Sequence, residues 1–202
     1  MNTQSKLLIA ALIFGGSIST ASASAVITDI TASGAGMGSF SVLANATNDK
    51  GLDLSKVFDS VNPITLTFTV AHSVGNGGSY DVMESISNNT SASFSDFHLS
   101  ITEPANASGN GVVFTGFNSS TLAGFTLDSP SVNQPSPFNS SGPRDLNFTG
   151  TLAAGDSADA KFSLHAFDPG VGNTYTFTIT QTPTVSPIPE PETYAMLLAG
   201  LG

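Results

Sequence analysis

Over residues 64–70 the chain alternates strictly, with Ile64, Leu66, Phe68 and Val70 on one parity and Thr65, Thr67 and Thr69 on the other. A period of two is what a half-buried strand requires, because successive side chains leave a strand on opposite sides. The pattern returns with Tyr80, Val82 and Ile86, and again with Phe97, Leu99 and Ile101 against His98, Ser100 and Thr102. It also returns with Leu146, Phe148 and Leu152, with Ala158, Ala160, Phe162 and Leu164, and with Tyr175, Phe177 and Ile179 against Thr174, Thr176, Thr178 and Thr180. Two shorter runs, 112–117 and 125–127, read as short strands. Phe94 is out of phase with Phe97, which places a bulge near Ser95 and Asp96.

Turn chemistry separates these runs: Asn76-Gly77-Gly78, Asn88-Asn89-Thr90, Ala153 to Asp156, and Asp168-Pro169-Gly170. The runs on either side of Asn88-Asn89-Thr90 read as a hairpin. About seven to nine short strands at regular spacing predict an all-β fold, an antiparallel immunoglobulin-like β-sandwich, with a jelly roll as the alternative. Three stretches are less regular. Residues 26–51 read as a first edge strand and a loose loop. Leu54, Val57, Phe58 and Val61 have helical spacing before Pro63, so a short helix is possible there. Residues 129–143 carry four prolines and read as a long surface loop.

The two ends follow other rules. Lys6, the apolar run 7–14 and the small residues Ala21-Ser22-Ala23-Ser24-Ala25 make a secretory signal peptide with small-x-small cleavage sites ending at Ala23 and Ala25, the latter favoured. The expected organisation is a signal peptide over 1–25, a β-sandwich domain over 26–182, a proline-rich spacer over 183–193 and an apolar segment over 194–202. Pro187, Pro189 and Pro191 hold the spacer extended, since proline fixes φ and lacks an amide donor. The segment from Tyr194 to Gly202 would reach less than half of a bilayer core of about 30 Å as a helix. The hydrophobic helix and its basic end are therefore expected to continue beyond Gly202.

Pro189-Glu190-Pro191, followed by Glu192-Thr193-Tyr194-Ala195-Met196-Leu197-Leu198-Ala199-Gly200-Leu201-Gly202, resembles the PEP-CTERM sorting signal of exported proteins from Gram-negative, exopolysaccharide-producing bacteria. The resemblance implies processing by an exosortase, a membrane cysteine protease or transpeptidase that supplies its own nucleophile. It also implies transient membrane contact through the tail, and a destination at the cell surface or in the extracellular matrix, in association with exopolysaccharide or biofilm. It covers about 15 residues and says nothing of the domain before them.

Composition narrows the chemistry. The mature chain keeps Lys50, Lys56, Arg144 and Lys161 against 15 acidic residues, so a nucleic-acid polyanion is disfavoured as a partner. With no cysteine, disulfides, thiolate metal sites and cysteine nucleophiles are excluded, and stability rests on an ordinary core. His72, His98 and His165 lack metal-site spacing, and no metal or cofactor is expected. Gly34, Gly36 and Gly38 lack the strand-to-helix context of a phosphate cradle, and no Gly-x-Ser-x-Gly occurs. Glu84, Glu103, Asp96 and Asp128 are the carboxylates a glycoside hydrolase could pair. Asp49 with Asp53, Asp156 with Asp159, and Asp168 are loop oxygen donors suited in kind to calcium, without a calcium-loop motif. The threonine faces at 65–69 and 174–180 suggest weakly defended edges open to strand-to-strand contact. The expected function is a non-enzymatic exported surface or matrix protein. A carbohydrate-binding module is the alternative and a hydrolase the less favoured third reading.

Overall fold

The computed structural model describes residues 23–45, 50–74, 78–103, 111–128 and 142–186. They form eleven strands and no helix: β1 (Ala23–Ser33), β2 (Met37–Asn45), β3 (Gly51–Phe58), β4 (Ile64–Val74), β5 (Ser79–Asn88), β6 (Phe94–Thr102), β7 (Val113–Gly116), β8 (Phe125–Leu127), β9 (Asp145–Leu152), β10 (Ser157–His165) and β11 (Thr174–Val185). One sheet has the order β1-β4-β11-β6-β9-β8 and the other β2-β3-β5-β10-β7. The arrangement is sandwich-like and does not close into a barrel. The pairs β4 with β11, β5 with β10 and β6 with β9 are nested and antiparallel. β11 also pairs with β6, and β10 with β7. β3 joins β5 in parallel.

The alternating runs become strands with the expected faces. In β4, Ile64, Leu66, Phe68 and Val70 are all sealed from solvent while the threonines between them are half-buried. The bulge expected near Ser95 and Asp96 is present as a register shift between Phe94 and Asp96. Four expectations are corrected. Residues 26–51 do not end in a loose loop after one strand, because β2 follows β1 and pairs with β3. The suggested helix at 54–61 does not form: residues 54–58 belong to β3, which buries Leu52, Leu54, Lys56 and Phe58 in a period of two, and Lys56 on the inner face disguises that period. β5 and β6 do not form a hairpin, because they lie in different sheets and Asn88-Asn89-Thr90 crosses between them. The threonine rows are not edges, because β4 and β11 are paired on both sides. Thr65, Thr67 and Thr69 stand opposite Thr180, Thr178 and Thr176 in one ladder.

The core is aromatic. Phe68 stacks on Phe177 with centroids 4.7 Å apart, while Phe58 meets Phe94 and Phe97 edge-on at 5.6 and 5.9 Å. Each such ring, fully buried, contributes roughly 1.5–3 kcal/mol.

Two polar side chains hold the crossings. The amide nitrogen of Asn88 donates to the carbonyls of Ala92, Leu152 and Ala153 at 2.8–3.1 Å, and its oxygen accepts from Thr90 N and Oγ1. One buried side chain thereby ties the β5–β6 crossing to the β9–β10 crossing. Tyr80 on β5 donates its hydroxyl to Ala25 O at 2.9 Å and accepts from Ile27 N at 3.0 Å, fixing edge strand β1 to the opposite sheet. At the β1–β2 turn, Gly34 has φ +121°, and a Cβ there would run into the backbone of Pro63. Gly34 and Gly36 thus serve close backbone approach, while Gly38 makes room for the Asp59 carboxylate.

Candidate functional site

Three strands each contribute a polar residue from the row that faces the core. On β3 it is Lys56, between Leu54 and Phe58; on β5 it is Glu84, between Val82 and Ile86; on β11 it is Gln181, after Phe177 and Ile179. β3 and β5 are parallel neighbours in the five-stranded sheet, while β11 lies in the centre of the other sheet. A lysine and a glutamine extended toward each other span the gap of about 10 Å between stacked sheets.

The three meet with their exposure at 0%, 1% and 0%. Lys56 Nζ lies 2.7 Å from Glu84 Oε1 and also donates to Gln181 Oε1. Gln181 Nε2 donates to Glu84 Oε2 at 2.9 Å and to Oε1 at 3.1 Å. The amide orientation follows from chemistry, since the ammonium or amine can only face the carbonyl and the carboxylate can only face the NH2 group. The rings of Phe58 and Phe97 flank Nζ, each centroid 5.7 Å away. Burial pulls the Lys56 pKa down from 10.5 to about 8, and the charge and hydrogen bond of Glu84 oppose that shift. The result is an amine, a carboxylate and a carboxamide in mutual contact, shielded from water. Burying an ion pair is at best weakly stabilising compared with an apolar filling.

Residues singled out in the sequence occupy other places. Ala23 opens β1, and Ala25, at 4% exposure, lies inside it with its carbonyl held by Tyr80. Pro189, Glu190 and Pro191 lie outside the described residues. The four carboxylates do not pair with one another. Glu84 is in the core, Glu103 takes Arg144 Nη2 at 2.7 Å and the Val112 amide, Asp96 lies 3.3 Å from His98 Nε2, and Asp128 accepts from Thr149 at 2.7 Å. His72 binds Asp168 at 2.9 Å, His98 binds Asn147 at 2.7 Å, and His165 faces Ser79. Among the described residues no three of His, Asp and Glu converge as a metal site would require. Asp49 lies outside them.

Neither described tyrosine offers a free ring. Tyr80 is buried, and Tyr175 stacks on Phe167 with centroids 4.0 Å apart and donates to its carbonyl. Burial first, and then the negative charge of Glu103, push the Tyr175 pKa far up. On the outer face of the five-stranded sheet, Leu43, Asp53, Met83, Asp159 and Lys161 border a recess of about 170 Å³, smaller than typical ligand pockets of about 300–1,000 Å³.

The cluster could have been found by carrying each alternation through its polar member: Leu52-Leu54-Lys56-Phe58, Tyr80-Val82-Glu84-Ile86 and Phe177-Ile179-Gln181. Comparison with protein-family models, with curated proteins and with solved structures yields no match.

Proposed function

We propose that this chain is a non-enzymatic structural protein, exported and displayed at the surface or in the extracellular matrix of a Gram-negative bacterium through a PEP-CTERM-like tail. The observation that carries this reading is Pro189-Glu190-Pro191 with its continuation to Gly202, beginning four residues after the end of β11. It is supported by the engagement of the candidate acids and bases in structural contacts: Glu84 with Lys56 and Gln181, Glu103 with Arg144, and His72 with Asp168. Exosortase and exopolysaccharide are the partners this reading implies. A carbohydrate-binding module has less support, since Tyr80 and Tyr175 are committed to internal packing.

The test is expression in a host with and without an exosortase, followed by fractionation and mass analysis of both termini. The expected product is extracellular or surface-bound, with the tail cut. Uncut chain confined to the cytosol would overturn the reading. Cleavage of the leader is expected after Ala23, because cutting after Ala25 would divide β1 and remove the carbonyl that Tyr80 holds.

For the finer architecture we infer a jelly roll rather than an immunoglobulin-like sandwich. The nesting of β4 with β11, β5 with β10 and β6 with β9 is that of one long hairpin rolled over so that β11 also meets β6. β1, β2 and β3 then extend the two sheets at their margins. An experimental structure in which β4 and β11 are not neighbours would refute this.

A further inference from the structure

We propose that Lys56 and Gln181 become joined by an intramolecular isopeptide bond, formed inside the folded sandwich with Glu84 moving the proton. The inference stands on the geometry of the cluster and does not depend on the tail or on export.

An amide forms from an amine and a carboxamide when four conditions meet: a free lone pair on the amine, contact with the carbonyl, a group to carry the proton, and exclusion of water. Each has a counterpart here. Lys56 Nζ donates to Gln181 Oε1, so the carbonyl carbon Cδ lies one bond of about 1.23 Å behind the contacted atom. Glu84 touches both nitrogens, Nζ at 2.7 Å and Nε2 at 2.9 Å, and so bridges the proton's origin to its destination. Phe58 and Phe97 pack around the amine, and the three polar residues are sealed from solvent. Burial also favours the neutral, nucleophilic form of the amine.

The step balances without any oxidant, reductant or second substrate. Nζ attacks Cδ, and a proton passes from Nζ through Glu84 to Nε2. The Cδ–Nε2 bond breaks, and ammonia leaves. The Nζ–Cδ amide remains, and Glu84 returns to its starting state. Reactants fixed in contact reach effective molarities on the order of 10⁵–10⁸ M, which lets an ordinarily inert carboxamide react within one chain. A cluster that is indifferent for stability as an ion pair acquires a reason to be buried: the dry, fixed setting is what the reaction needs.

The experiment is peptide mapping of the full chain, purified in its folded state and then denatured before trypsin is added, so that burial alone does not protect Lys56. Trypsin cleaves after free lysine, so an unlinked chain releases the peptide Gly51 to Lys56. In the linked chain Lys56 resists trypsin. A peptide beginning at Gly51 and ending at Arg144 is then found joined to the one beginning at Phe162, with a mass about 17 Da below their sum, the ammonia lost. Glu84→Gln keeps the volume but cannot accept the proton, and it should restore free Gly51–Lys56 peptide and full mass. Lys56→Met removes the nucleophile together with the cleavage site, and should release the peptide Gly51 to Arg144 unlinked and at full mass. Release of the peptide Gly51 to Lys56 from the denatured native chain, or a mass gain of about 1 Da at Gln181 marking simple hydrolysis, overturns the proposal. The native-chain map is decisive alone if either variant fails to fold.

Discussion

The state of the Lys56 nitrogen sets how stability responds to alkali. In the Glu84→Gln variant the amine stays free within the core. Burial already lowers its pKa to about 8 with Glu84 present, and losing the carboxylate that opposes this shift moves it further down. In the unfolded chain the same lysine returns to about 10.4. The folded value lies below the unfolded one, so the destabilisation is fully present below the folded pKa and is relieved as pH rises toward the unfolded pKa. Between the two, the unfolded chain holds the extra proton and stability climbs by about 1.4 kcal/mol per pH unit. From pH 8 to 9.5 that amounts to about 2 kcal/mol. With a urea dependence of about 2 kcal/mol per molar, the midpoint moves up by about 1 M. Other groups intervene little: the chain has no cysteine, and Tyr80 and Tyr175, whose pKa burial raises, oppose the climb by only a few tenths of a kcal/mol, since in the unfolded chain they titrate near 10, above this interval. In the native chain the linked nitrogen is an amide, and the midpoint should stay level over the same interval. Urea titrations of both proteins at pH 8, 8.75 and 9.5 make the comparison. A level midpoint in Glu84→Gln, or a native chain that climbs beside it, would refute the reasoning.

Replacing Asn88 with alanine takes a donor from three carbonyls and an acceptor from Thr90, of which Ala92 O and Thr90 Oγ1 still bond each other, and should lower stability by about 1–3 kcal/mol in urea unfolding. Tyr80→Phe removes both ties to β1 and should lower stability by about 1–3 kcal/mol; amide exchange should accelerate first at Ile27, whose donor loses its acceptor. Lysine at Thr67 and Thr178 should leave the sedimentation coefficient unchanged, because both positions lie on strands paired on each side. A shift toward slower sedimentation would show that the threonine face mediates self-association. N-terminal sequencing of exported protein should begin at Ser24, and a start at Val26 would contradict the role given to the Ala25 carbonyl.

Alternation exposed most of the sandwich because each strand turns one face to the core and the other outward, as at Ile64 to Val70 or Ala158 to Leu164. It failed where a polar residue took an inward position. Lys56 broke the apolar row of β3, and the remaining Leu54, Val57, Phe58 and Val61 imitated a helix. Sheet membership was also hidden, because a turn such as Asn88-Asn89-Thr90 has the same local chemistry whether it closes a hairpin or crosses between sheets. The candidate cluster was invisible for a related reason. Lys56, Glu84 and Gln181 are separated by long stretches of chain, and the pairing of β3 with β5 in one sheet, facing β11 in the other, brings them together.

The last strand is also among the best held. β11 is registered along its whole length, with β4 from Thr174 to Gln181 and with β6 from Thr178 to Val185, so that Thr178 to Gln181 are held on both flanks. Hydrogen bonds of such ladders run perpendicular to the strand, so tension applied beyond Val185 and along β11 loads many of them at once in shear. β1 lies at a margin, with β4 as its one ladder partner among the described residues, so tension along it is borne by that single ladder. The molecule is therefore mechanically polarised: a tether at its carboxyl end draws on two ladders, and one at the opposite end on a single ladder.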